Sequence, residues 1–134
     1  MPIRFTYDQQ RAILFTTAEG LVTLAEIESH LDQESKARAL GCSEIFDAST
    51  ATTNLTSDDV RSLVRQLLVH KANTHFGPTA FIATNDLLFG MARMISIVSE
   101  LHGGPEIEVF RTLDEALGWL AREAPAGYCE PVDA

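Results

Sequence analysis

The side chains able to do chemistry or hold a ligand gather in three short polar steps, Asp47-Ala48-Ser49, Thr84-Asn85-Asp86 and Arg111-Thr112. Carboxylates, hydroxyls, an amide and one guanidinium suit hydrogen bonding and ion pairing better than covalent catalysis, and no nucleophile stands beside a base in a recognisable motif. Capping explains part of the set without any ligand, because Asn85 and Thr112 each precede an apolar helical run and Asp47 suits a loop turn. Arg111 is the cation of the group, expected to pair with Asp47 or Asp86 or to hold an anion. The histidines His30, His70, His75 and His102 lack metal-ligand spacing and read as solvated side chains. Cys42 and Cys129 are too few and too far apart to suggest a disulfide framework or a zinc site, and read as free thiols. The expected complement of metals and cofactors is none.

Elements that end at these steps must position them. Ile3 to Tyr7 and Ala12 to Thr17 alternate as a hairpin, and Gly20 breaks the second strand. Thr23 with Glu26 forms a capping box for a helix that starts near Leu24 and ends before Gly41. Ser43 to Asp47 reads as a third strand, followed by a loop from Ala48 to Thr56. Ser57 then caps a second helix whose buried stripe is Val60, Leu63, Val64 and Leu67, with Val69 on the opposite side. Thr79 to Thr84 is the fourth strand, and Asn85 or Thr84 caps helix three. Leu87, Met91, Met94, Ile95, Val98 and Leu101 form the stripe of that helix, which leaves Phe89 and Arg93 on its exposed side. Met91, Met94 and Phe89 also suit a small apolar cavity. Glu106 to Phe110 is the fifth strand, and Thr112 with Glu115 boxes a last helix that Trp119 packs down.

Alternating strands and helices predict an α/β fold: a single-domain mixed sheet of five strands, an opening hairpin and then parallel strands joined by helices, in the order β-β-α-β-α-β-α-β-α. Polar residues at alternate strand positions, Arg4-Thr6-Asp8 and Glu106-Glu108, place the helices mainly on one face and leave the other partly open. Ligands of open α/β sheets gather beyond the carboxyl ends of the strands. The candidate site is therefore Asp47, Ser49, Asn85, Asp86 and Arg111, with Phe89 and Arg93 beside it.

A chain of 134 residues with 46% hydrophobic residues fills one core. The formal charge of −9 repels phosphate backbones, so nucleic acid is not an expected partner. No apolar stretch approaches the roughly 20 residues of a transmembrane helix, so no integral membrane segment and a cytoplasmic location are expected. The domain is expected to span residues 1–124, with a loose acidic tail at 125–134. A homodimer through the open face or an edge strand is expected, aided by Phe46 and Phe110 if they point outward.

From Ile3 to Leu120 the chain resembles the stand-alone bacterial STAS-like proteins, relatives of the sporulation anti-sigma-factor antagonist. The residues that carry the likeness are the Asp47-Ala48-Ser49 turn, Ala92-Arg93-Met94, and the ending Phe110-Arg111 with Glu115-Ala116 and Trp119-Leu120. The resemblance implies a one-domain sheet backed by helices and without enzymatic activity, which binds a regulatory protein. An alternative use is a small carrier or sensor of an apolar or amphipathic molecule between helix three and the sheet. It also implies phosphorylation near the start of helix two, where Ser49 and Ser57 are the matching positions. The chain departs there, since Thr50 follows Ser49 in place of glycine, and Asp58 and Asp59 would repel a phosphate on Ser57. Phosphoacceptor receivers are similar only in part, because they open with an acidic pair where this chain offers Asp8 alone.

Overall fold

A computed structural model describes residues 3–123 together with residues 129 and 131. The elements are β1 (Ile3–Asp8), β2 (Ile13–Val22), α1 (Leu24–Lys36), β3 (Ser43–Thr53), α2 (Ser57–Asn73), β4 (Thr79–Ile82), α3 (Asp86–Leu101), β5 (Ile107–Phe110) and α4 (Leu113–Glu123). The sheet runs in chain order, β1-β2-β3-β4-β5, with β1 antiparallel to β2 and the other pairs parallel. This is the expected α/β fold.

Side-chain alternation along β3 assigns the layers. Phe46 belongs to a cluster with Val22, Ala48 and Leu88 of α3, and stacks on Phe81 of β4 with ring centroids 4.8 Å apart. Its neighbour Ile45 points the other way and packs with Ala80, Ile82, Ala116 and Trp119 beneath α4. Leu31, Leu63 and Leu67 join α1 to α2 in a further cluster, which Ile95 and Ile107 extend. Neither Phe46 nor Phe110 points outward as a dimer contact would require: Phe46 is buried, and Phe110 lies against Trp119 with centroids 5.8 Å apart.

Four local readings change. The segment expected as a loop from Ala48 is strand as far as Thr53, and Gly20 does not end β2. After a register shift between Thr17 and Glu19, the pairing resumes from Glu19 with Thr50 to Val22 with Thr53. The extra residue of this shift is on β3, and Gly20, just beyond it, has a φ of +68°, a conformation open to glycine. Thr56, not Ser57, caps α2: its hydroxyl accepts from the Asp59 amide at 3.1 Å, while its own amide donates to the Asp59 carboxylate at 2.9 Å. Helix α3 is rotated from its expected phase. Leu88, Ala92 and Ser99 face the core, whereas Leu87, Met94, Ile97 and Leu101 are exposed.

The fourth change concerns the cysteines. Cys42 and Cys129 are 87 residues apart in sequence, yet their Cα atoms lie 5.0 Å apart and they form a disulfide, so they are not free thiols. Leu14, Ala37 and Ala39 pack around the pair, and the Tyr7 hydroxyl donates to the Cys129 carbonyl at 3.0 Å. Most of the tail expected to be loose lies outside the described residues. Cross-linking across so long a loop chiefly restricts the unfolded chain, so reduction or Cys129→Ala is expected to lower the unfolding free energy by about 2–4 kcal/mol. Urea denaturation with and without reductant measures it.

Candidate functional site

On β3 the period of two places Glu44 on the same side as Phe46, under α1. On α1 the spacing of four places His30 and Glu34 one turn apart on the inward face. The result is a buried polar group inside the apolar layer: His30, Glu34 and Glu44 are 4%, 2% and 8% exposed. His30 Nε2 lies 2.5 Å from Glu34 Oε1 and 3.4 Å from Glu44 Oε2. The Thr16 hydroxyl donates to Glu44 Oε2, and the rings of Phe5 and Phe46 stand edge-on to the imidazole at 5.7 and 5.6 Å. His30 is thus a core residue, and the expectation that it is solvated is overturned.

The three side chains form the polar part of a cavity wall. A space of about 110 Å³ lies between the sheet and α1, α2 and α3, lined otherwise mainly by apolar side chains that include Leu63, Phe81, Leu88, Met91 and Ile95. Met91 lines it as expected, while Met94 is exposed and Phe89 packs against the cluster of Phe46 and Leu88 without lining the space. Burial opposes charge on His30, but the adjoining Glu34 and Glu44 carboxylates outweigh it, and its pKa is pushed up to about 10. Burial, reinforced by Glu44, pushes Glu34 up to about 8 even though His30 acts in the opposite direction.

At the carboxyl ends of the strands the polar residues bind one another. The Arg111 guanidinium donates to the Thr84 carbonyl at 3.0 Å, pairs with Asp86 at 2.9 Å, and covers the Phe89 ring 3.9 Å from its centroid. Phe89 is therefore partly buried, a correction to the exposed aromatic expected. The Thr84 hydroxyl donates to the Ser49 carbonyl at 2.7 Å, and Asp47 accepts from the Ser49 amide at 3.0 Å. Asn85 caps α3 by accepting from the Leu88 amide at 3.1 Å. Arg93 and Ser57 are exposed, and Ser49 is half-buried. These contacts tie β3, β4, α3 and β5 together at the strand ends. The buried triad is absent from the sequence reading, which names His30 only as a solvated histidine and does not single out Glu34 or Glu44. The signals were a His-x-x-x-Glu spacing on a helix and a charged residue inside an apolar strand.

No protein-family model matches the chain, and no curated protein matches it in sequence. Among solved structures it is similar to an uncharacterised DUF3478-family protein with a SpoIIAA-like fold from Shewanella loihica PV-4, with a TM-score of 0.56 and 20% identity over 88% of this chain and 91% of that one. That likeness supports the STAS-like reading at the level of fold.

Both His30 and Glu34 hold a proton more firmly in the folded chain than their ordinary values of 6.5 and 4.5. Their stabilisation is complete below those values and is lost as pH rises through about 8 for Glu34 and about 10 for His30. In protein free of bound ligands, the melting temperature is therefore expected to fall as pH is raised from about 6 to about 9. Glu34→Gln, which cannot titrate, should flatten the earlier part of that fall in a thermal-shift series.

Proposed function

We propose that this chain is a non-enzymatic regulatory module of the STAS type that senses or carries a compact apolar molecule, or the apolar end of an amphipathic one. The cavity of about 110 Å³ carries this reading. It is smaller than the roughly 150 Å³ engineered cavity that admits benzene, and far below the roughly 300–1,000 Å³ of drug-sized sites. Its ligand is accordingly small, or enters only in part. Apolar walls favour desolvation of such a molecule, and His30, Glu34 and Glu44 offer the few polar groups that would orient it. The strand-end residues support a module without catalysis, because they supply packing, capping and an ion pair but no nucleophile activated by a base.

Titration with xenon, a smaller probe than benzene, followed by methyl NMR is expected to give saturable shifts at Leu63, Leu88 and Ile95, abolished by Ala92→Phe. Native mass spectrometry of gently purified protein is expected to add a mass beyond the bare chain. A bare mass together with no saturable shift would sink the reading.

The outer face of α3 favours a second use, binding of a regulatory protein. Leu87 is 64% exposed, Met94 39%, Ile97 47% and Leu101 76%, and at 100° per residue they fall within one sector of the helix. A photo-crosslinking residue at position 94 is expected to yield a discrete protein adduct in cells that Ile97→Glu removes. If no adduct forms, α3 is not a docking face.

A further inference from the structure

We infer that His30, Glu34 and Glu44 form a binding site for one divalent transition-metal ion on the wall of the cavity. The three side chains supply a nitrogen and carboxylate oxygens whose ligating atoms all lie within 4.8 Å of one another, from residues that are all buried. Neighbouring donors around an ion at about 2.0–2.1 Å stand roughly 3.0–3.4 Å apart. Of the two separations from His30 Nε2, 3.4 Å lies at the upper end of that range and 2.5 Å falls short of it. Seating an ion therefore requires the His30 and Glu34 side chains to part by about 0.5 Å.

The hydrogen bonding is the second observation. Although Nε2 is close to both carboxylates, neither ring nitrogen of His30 has a hydrogen-bond partner of acceptable geometry among the described residues. The imidazole thus lies against both carboxylates without a matched hydrogen bond to either. Leaving buried donors or acceptors unmatched costs about 1–3 kcal/mol each, and a metal ion between these groups would engage the Nε2 lone pair directly.

Charge and surroundings agree. A dication with a neutral imidazole and two carboxylates sums to zero, the charge an apolar cavity tolerates best, and binding releases to solvent the protons that His30 and Glu34 hold in the metal-free chain. One nitrogen and two oxygens suit Zn²⁺, Mn²⁺, Fe²⁺ or Co²⁺; they do not suit Ca²⁺, which takes about six to eight oxygens, or the soft Cu⁺. Thr16 donates to Glu44 Oε2 and so orients that ligand. All three side chains line the cavity, the side from which any further ligand to the ion would come. The inference does not depend on an organic ligand, since the ion alone is the probe.

Tag-free, chelator-treated full-length protein would be titrated with Zn²⁺ by calorimetry, and with Co²⁺ by absorption spectroscopy. One equivalent is expected, with Co²⁺ giving the intense visible bands of a site of low coordination number. Glu44→Gln and His30→Gln, checked for folding by circular dichroism, are expected to bind about a hundredfold more weakly or worse. The triple variant His70→Asn, His75→Asn, His102→Asn, which alters only surface imidazoles, should bind as the wild type does. Absence of stoichiometric binding by wild-type protein would overturn the inference. So would loss of binding in the triple variant, or unchanged binding in folded Glu44→Gln and His30→Gln. If those two variants do not fold, the wild-type and triple-variant titrations decide, and a Co²⁺ spectrum typical of weak hexa-aquo binding overturns it.

Discussion

Strand β3 must satisfy two layers at once, because consecutive side chains on an extended backbone leave opposite faces. Its even-numbered positions Glu44, Phe46 and Ala48 lie on the side of α1 and α3, while Ile45 serves the layer beneath α4. A slip of one residue would exchange these sets, setting a carboxylate under α4 and moving Phe46 off Phe81. The parallel register of Glu44 with Thr79 and Phe46 with Phe81 therefore governs the helices as much as the sheet. The cavity, the triad and the strand-end cluster all inherit their positions from it.

That same strand brings ionisable groups into the apolar layer, which folding tolerates only when they have partners. His30 approaches both carboxylates, and Thr16 and two aromatic edges complete its surroundings. Removing one partner leaves the others buried without compensation, so the cluster behaves as a unit rather than as separable contacts. The strand-end cluster has a different character. Arg111 and Asp86 stay partly in water, so their pair is worth little by itself, and the Arg111 contacts with Thr84 and Phe89 serve to place α3 against β5.

Much of this was legible from local chemistry. The Thr23-Glu26 and Thr112-Glu115 boxes start α1 and α4 as read, and Val60, Leu63, Val64 and Leu67 form the buried stripe of α2. What escaped depended on partners distant in sequence. Residues 48–53 have the composition of a loop and become strand because β2 offers a matching edge. Helix α3 is apolar on two faces, so periodicity alone could not choose the buried one; packing against β3 and β5 chose Leu88, Ala92 and Ser99. The proximity of Cys42 to Cys129, and of His30 to Glu44, likewise comes from topology rather than spacing.

The bare outer face of α3 also bears on how the molecule behaves in concentrated solution. Nine surplus negative charges make copies repel one another at neutral pH and hold such stripes apart. Salt shortens the reach of that repulsion to about 8 Å at physiological ionic strength, and near the isoelectric point of about 4.7 it vanishes. Colloidal stability thus rests on acidic residues scattered over the rest of the surface, and mild acid leaves Leu87, Met94, Ile97 and Leu101 to set the attraction between copies.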